Sequence, residues 1–278
     1  MVSASEKACY DANGYVVIKG LFSAEETAAY REHFMALRAE GLKPGDMVAE
    51  TASANDPLAA FPRMIHMHRW DAVSRQWLLD SRLEQCLSAL LGNEPLAVQT
   101  MLYFKPAGAR GQALHQDNFY LRARPGTCMA AWMALDPCDE ENGCMQVVPG
   151  SHEWPMLCPA EADPNASFTS VTVPIPEGMT ATPVLMDAGD VLFFNGSLVH
   201  GSYPNKSQNR FRRALIGHYV EERAKQMGGF YQPVLRMDGT AFELPPAPDS
   251  GPCGIWVDNE GRPEIEVAER QLAAAGHE

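Results

Sequence analysis

Positive charge is scarce in this chain. Its 22 lysines and arginines stand against 35 aspartates and glutamates, a formal net charge of -13. A surface of that sign repels phosphate backbones and anionic headgroups, so nucleic acid and membrane surfaces are set aside as partners. No apolar run approaches the roughly 20 residues of a membrane span. The first residues also lack the basic start and apolar stretch of a secretory leader, so a cytoplasmic location is the expectation. The seven cysteines (Cys9, Cys86, Cys128, Cys138, Cys144, Cys158 and Cys253) are scattered, odd in number and never spaced as CxxC. Neither a zinc knuckle nor a disulfide framework is indicated, and they read as reduced, mostly buried thiols. There is no internal repeat, low-complexity tract or clear linker, and nothing points to a protein partner.

What is present is ordinary globular material: 278 residues, 46% of them hydrophobic, enough for one large domain with a sizeable core. Tyr15–Leu21 is a short β-prone run. Ser23 with Glu26 has the form of a capping box and opens a helix that Gly41 can end. Residues 42–62 carry four glycines and prolines (Pro44, Gly45, Pro57, Pro62) and read as a loop able to wall a site. Arg63–Arg69 alternates like a strand. Ser81 with Glu84 forms a second capping box, and its helix ends at Gly92. From Leu96 onward the pattern changes to short β-prone runs between Pro, Gly and Asn: Leu96–Phe104, Cys128–Leu135, Cys144–Val148, Ser170–Val173, Val191–Phe194 and Arg212–Val220. Strands at that spacing, with few helices between them, predict a mainly β fold with a jelly-roll core and flanking helices rather than βαβ units. The expected plan is a single domain: a helical part over about 1–95, a jelly roll over about 96–222 and an extension over 223–278. A short Glu/Ala-rich helix is expected from about Glu266.

The chemistry is concentrated in His115-Gln116-Asp117. A His and an Asp two apart on a strand share a face, and they supply two ligands of a 2-His-1-carboxylate site, which leaves positions open on ferrous iron. The pair alone is also what a His held by a nearby Asp looks like, so a third ligand must come from elsewhere. His66 and His68 are spaced like the pair but have no carboxylate or Cys within their run, which favours a structural or substrate-contacting role. His200 follows the apolar strand Val191–Phe194 and is either a ligand or a core histidine. Beyond it, basic residues enter the strand at Arg212 and Arg213. An Arg facing a barrel interior is costly unless it meets an anion, and its fork suits a carboxylate.

The pattern His115-Gln116-Asp117 with Tyr120, Trp132, Asn142-Gly143-Cys144 running to Pro149-Gly150-Ser151-His152, His200-Gly201-Ser202, Asn205-Lys206-Ser207 and Phe211-Arg212-Arg213-Ala214 resembles the phytanoyl-CoA dioxygenase family of oxygenases dependent on Fe(II) and 2-oxoglutarate. Similarity runs from about Tyr15 to about Tyr219 and is weakest in 42–62 and after 222. The resemblance implies a double-stranded β-helix, O2 as the oxidant, and a small-molecule substrate hydroxylated with release of succinate and CO2. It implies that His115, Asp117 and His200 bind iron, that Arg212 holds the distal carboxylate of 2-oxoglutarate with help from Ser202, and that Gln116, Trp132 and Met101 line the cosubstrate's pocket. The interval from His200 to this arginine is one residue longer than in the family, which leaves Arg213 as the alternative. His152 matches a family turn and is not expected to be a ligand.

Other outcomes share these residues. Desaturation, epimerisation and ring closure need the same ligands as hydroxylation, whereas a halogenase needs a small residue where Asp117 stands. A non-catalytic cupin-like binding protein would keep the histidines but would not need a buried arginine.

Overall fold

Short polar caps and closing glycines frame the N-terminal helices. In the computed structural model, which describes residues 2–47, 56–249 and 251–268, helix Ala4–Asn13 starts with a capping box of Ser3 and Glu6. It ends on Gly14, whose φ of 79° favours a residue without a Cβ. Helix Ala24–Ala39 has the expected box of Ser23 and Glu26. Helix Ser81–Leu91 starts one residue earlier than the sequence pattern suggests: Asp80, rather than Ser81, is the cap, with its carboxylate accepting the N–H of Arg82.

Two antiparallel sheets make the core, and among the described residues two two-stranded ribbons, Ala160–Glu161 with Val171–Thr172 and Cys253–Asn259 with Arg262–Ala268, lie outside them. Among the described residues the larger has nine strands. Its main path runs Tyr15–Ile18, Val191–Asn195, Cys128–Ala134, Ala214–Glu221, Pro95–Tyr103, Val234–Leu235, Ala241–Phe242, and Arg63–Ile65 attaches beside Pro95–Tyr103. The smaller sheet has four strands in the order Thr182–Val184, Met145–Val147, His200–Ser202, Gln112–His115. The jelly roll is therefore as expected. The N-terminal part, read as helical, also contributes three strands to the larger sheet, because Tyr15–Ile18 pairs with Val191–Phe194, Ile65 pairs with Met101, and Asp46–Met47 pairs with Arg63 and Met64.

Period-two alternation sorts the core. Met129, Ala131, Met133, Phe193 and Leu215 face the helices and pack with Phe34, Trp77, Leu83 and Leu87. Ala130, Trp132, Ala134, Phe194, Ala214 and Ile216 face the other way, towards Met145 and Val147 of the smaller sheet. Each fully buried Leu or Phe contributes about 1.5–3 kcal/mol. The helix-facing layer thus holds the larger sheet flat against its support and leaves the space between the sheets for a site.

Four local expectations are corrected. Arg63–Arg69 is a strand only as far as Ile65; His66 takes a left-handed φ of 54° and a turn of 3-10 helix follows over Met67–Arg69. The run 42–62 contains strand Asp46–Met47 and a 3-10 turn over Pro57–Ala59, and its middle, 48–55, lies outside the described residues. The expected helix from Glu266 is instead the end of strand Arg262–Ala268, paired with Cys253–Asn259; residues 269–278 lie outside the described residues. Cys158 and Cys253 form a disulfide across 95 residues, so not every cysteine is a free thiol. Nothing in their spacing signals the pair. No helix among the described residues is long and apolar enough to cross a membrane.

Candidate active site

Strands Gln112–His115 and His200–Ser202 lie side by side with His115 opposite His200, so the two imidazoles meet at 4.2 Å between ring centroids, tilted by 49°. After His115 the strand ends. Asp117 has helical angles (φ -61°, ψ -33°) and opens the single turn Asn118–Leu121. The expectation that both members of the pair sit on one strand is therefore corrected: a turn, not strand alternation, brings the carboxylate round to the histidines. That turn is fixed by Asn118, whose N–H donates to the Gly196 carbonyl (2.9 Å) and whose side-chain oxygen accepts the N–H of Ala123 (2.9 Å).

Asp117 Oδ1 lies 3.4 Å from His115 Nε2 and 3.5 Å from His200 Nε2. Each histidine donates its Nδ1–H to a backbone carbonyl, His115 to Ala113 (2.9 Å) and His200 to Leu198 (3.0 Å). That sets the tautomer and leaves each Nε2 as a lone pair, which is how a metal-binding imidazole is oriented. One donor atom from each of the three residues lies within 4.8 Å of the others, a grouping able to hold a metal ion. Burial pushes His200 down to about 4, with repulsion from His115 adding to it against the pull of Asp117, so the ring is neutral and free to ligate. Burial pushes Asp117 up, but the neighbouring His200 and His218, with the hydrogen bond from His218, outweigh it and hold the carboxyl well below its usual range. A buried carboxylate beside two imidazoles is a donor set for a hard-to-borderline divalent ion such as ferrous iron.

The other oxygen of Asp117 is also held. His218 Nε2 donates to Oδ2 at 3.0 Å, and the Gln99 amide donates to His218 Nδ1 at 3.1 Å. Neither residue was singled out from the sequence, although His218 shares its strand face with Arg212, Ala214 and Ile216. Gln112, beside His115 Nε2 at 3.0 Å, was missed as well.

Arg212 stands at the far end of the same cavity. Its backbone pairs with that of Lys105 (2.9 and 3.2 Å) just ahead of strand Ala214–Glu221. Its guanidinium is 2% exposed, lies over the Trp132 ring at 5.2 Å, and donates Nε–H to the Gly143 carbonyl at 3.1 Å. Its Nη1 is buried with no hydrogen-bond partner among the described residues. Arg213 points the opposite way and is paired with Asp136 through two bonds of 2.7 and 2.6 Å. The Asn-Gly and Asn-Lys-Ser motifs serve this end as scaffold. Asn142 donates to the carbonyls of Pro137 and Phe211, and Asn205 to those of Lys105 and Arg210. Gly143, at φ 84°, leaves no room for a Cβ, which would come within 2.5 Å of the Tyr203 carbonyl.

The cavity, about 140 Å³, has Met101, Trp132, Ser202, Arg212 and His218 in its lining together with the three candidate ligands. It is also walled by Tyr120, Phe168, Phe230, Tyr231 and the cation Arg63, whose guanidinium lies over Phe168 at 5.0 Å. Gln116 does not line it. Its amide is consumed by the carbonyls of Ser197 (2.8 Å) and Pro155 (3.3 Å) and by the N–H of Leu157 (2.8 Å). The expected pocket role of Gln116 is corrected to a brace that ties the ligand loop to the 155–157 segment. His68 is buried, pushed down to about 4 by burial with Arg69 and Arg75 adding to it, and bonded to Thr100, a structural placement.

The family model for phytanoyl-CoA dioxygenase matches residues 10–214. The peroxisomal phytanoyl-CoA dioxygenase of Rattus norvegicus is 26% identical over 291 residues, covering 99% of this chain and 78% of the relative. Among solved structures, the epimerase SnoN in complex with Fe3+, alpha ketoglutarate and nogalamycin RO superposes with a TM-score of 0.65 at 23% identity, covering 80% of this chain and 84% of that one. EctD from S. alaskensis, with 2-oxoglutarate and 5-hydroxyectoine, gives 0.62 at 24% identity, covering 79% and 76%. These two likenesses show the jelly-roll fold.

Proposed function

The chain belongs to the phytanoyl-CoA dioxygenase family and is an Fe(II)- and 2-oxoglutarate-dependent oxygenase, and from that premise we propose that it hydroxylates an unactivated C–H bond of a small or mid-sized metabolite. His115, Asp117 and His200 hold the iron, and Arg212 with Ser202 holds the distal carboxylate of 2-oxoglutarate over Trp132. The observation that carries this reading is the pairing of two incomplete sites in one cavity. A three-donor cluster lies at one end, and at the other a buried guanidinium has an unsatisfied Nη1. A molecule with a metal-chelating head and a carboxylate tail completes both. When bound, iron and 2-oxoglutarate supply the oxidising chemistry, using O2 and releasing succinate and CO2.

The chain's own residues do the rest. His115 and His200 are locked as Nε2 donors by their backbone carbonyls, and Asp117 is kept ionised. Trp132, Met101 and Ile216 exclude water from the cosubstrate side. The rings of Tyr120, Phe168, Phe230 and Tyr231 receive the apolar part of the substrate and fix which C–H bond faces the metal. Hydroxylation is preferred to halogenation because Asp117 occupies the position a halide would need. It is preferred to epimerisation because the curated relatives it matches are named dioxygenases. The reading keeps a cytoplasmic location, in line with the charge and composition.

The test is turnover. Purified protein given Fe(II), 2-oxoglutarate and O2 should form succinate, stop when the metal is chelated, and convert a metabolite from an extract into a product heavier by one oxygen atom. Succinate formation that survives chelation would exclude the iron reading. A product two hydrogens lighter would replace hydroxylation by desaturation.

A second expectation concerns His218. Changing His218→Phe keeps a ring but removes the donor to Asp117 Oδ2, freeing the carboxylate to rotate. Loss of such an outer hydrogen bond typically weakens metal binding by about 10- to 100-fold. Titration with Co(II) should show this, with a lower melting temperature because the buried Gln99 amide loses its acceptor; equal Co(II) affinity would mean that the bond does not hold the ligand.

A further inference from the structure

Behind Arg212 stands a second buried cation that no carboxylate among the described residues meets. Lys105 is 2% exposed. Its Nζ donates to Ser202 Oγ at 2.8 Å, to the Tyr203 carbonyl at 2.5 Å and to the Gly143 carbonyl at 3.4 Å, the last being the acceptor that Arg212 also uses. Ser202 Oγ receives a further N–H, from Gln112 at 3.2 Å. A hydroxyl has two lone pairs and one hydrogen. With Lys105 and Gln112 both donating, the lone pairs are taken and only the hydrogen remains. Since Ser202 lines the cavity, that hydrogen is set to donate into it. A neutral amine would reverse the arrangement: its own lone pair would accept the Ser202 hydrogen and turn it away from the cavity.

We propose that Lys105 is a positioning residue for the cosubstrate: as an ammonium it turns the Ser202 hydroxyl towards the carboxylate that Arg212 binds, so that binding of this carboxylate is coupled to proton uptake at Lys105. The inference rests on Arg212 and Ser202 being the distal-carboxylate site.

The surroundings give the coupling its sign. Burial holds the Lys105 amine well below its ordinary value and the positive charge of Arg212 adds to it, opposed by the thiols of Cys144 and Cys138. The nearby carboxylate of Asp136 is already engaged by Arg213. An incoming carboxylate neutralises the repulsion from Arg212 and adds an attraction, both favouring the ammonium. The amine's affinity for a proton therefore rises on binding. Uptake appears at pH values between the free and bound pKa values and vanishes below the lower one, where Lys105 is charged already.

The experiment uses protein loaded with Mn(II) without O2, so that nothing turns over. Calorimetric titration with 2-oxoglutarate in two buffers of different ionisation enthalpy reads the protons taken up, from neutral to alkaline pH. The expected result is uptake of a fraction of a proton that rises with pH as the free amine loses its proton and falls again where the bound amine loses it too. It should be absent for 2-oxobutanoate, which chelates through the same 2-oxo acid group but has no distal carboxylate. Lys105→Met keeps the aliphatic stem and should lose the uptake together with about tenfold or more of the 2-oxoglutarate affinity, while Mn(II) and 2-oxobutanoate affinities stay as in the parent protein. If that variant does not fold, Ser202→Ala should show a reduced uptake with weakened 2-oxoglutarate binding. Identical proton counts for the two oxo acids in the unmodified protein would overturn the proposal, as would a Lys105→Met protein of unchanged affinity. Arg212→Ala separates the two levels. If it binds 2-oxoglutarate normally, the cosubstrate reading itself fails; if it loses affinity while the unmodified protein shows no uptake, only the role of Lys105 falls.

Discussion

Purified His200→Ala protein is expected to show no iron-dependent conversion of 2-oxoglutarate to succinate, and His115→Ala the same. Both imidazoles sit on adjacent strands of the smaller sheet, where the ladder between His200–Ser202, Gln112–His115 and Met145–Val147 is made by backbone groups that alanine retains. Removing either ring takes away one of three donors, and Asp117 with the remaining histidine cannot fix an ion in place. The fold should survive. The histidine rings contact each other and, at His200, the Phe194 ring at 4.4 Å, so truncation leaves a small cavity at the site rather than a gap in the helix-facing core. Circular dichroism should be unchanged, and titration with Fe(II) or Co(II) should show binding lost along with turnover. A His200→Ala protein that still turned over 2-oxoglutarate at the parent rate would remove His200 from the ligand set.

Much of this site could be read from the residues because its elements obey local rules. The jelly roll follows from short β-prone runs with turn punctuation, and His115, Asp117, His200 and Arg212 follow from resemblance in their order and spacing. What escaped depends on where backbones go once the sheets close. Asp117 was assigned to a strand, but the chain leaves the strand after His115, and period-two counting has no means of seeing a helical turn begin. The same turn swings Gln116 outward into hydrogen bonds with Ser197, Pro155 and Leu157, so a residue flanked by two candidate ligands lines nothing. His218 was within reach, since it shares a strand face with Arg212. Lys105 was not, because a lysine ahead of a proline gives no sign that its tail is enclosed by Ser202, Tyr203 and Gly143. The Cys158–Cys253 bond and the C-terminal hairpin were hidden for a related reason: both arise from contacts between distant segments, and Glu266 sits in a run whose composition favours helix while its partner strand Cys253–Asn259 holds it extended.

The two neighbouring arginines give opposite results when each is replaced by alanine. Arg212 faces the cavity with Ile216 and His218 and has no acidic partner, whereas Arg213 is turned to Asp136 and the Phe211 ring. A charge-assisted bidentate contact is worth roughly 1.5–3 kcal/mol, so Arg212→Ala should weaken 2-oxoglutarate binding by about 10- to 150-fold. Its effect on the free protein should be small. A buried cation without a counter-charge contributes no stability, and the Gly143 carbonyl keeps Lys105 as a donor. Arg212→Lys preserves the charge but not the fork and should be impaired too. Arg213→Ala should do the reverse. It removes both side-chain donors from the carboxylate of Asp136, which is 7% exposed and keeps the backbone N–H of residue 213 at 2.9 Å and, among the described residues, Arg31 at 3.7 Å as a counter-charge. Leaving a buried acceptor short of its donor costs about 1–3 kcal/mol, so the melting temperature should fall while the 2-oxoglutarate affinity stays put. Titration calorimetry and thermal melts on the two variants decide between the arginines. If the affinity loss appears in Arg213→Ala and the melting loss in Arg212→Ala, the strand register around residue 212 is wrong by one.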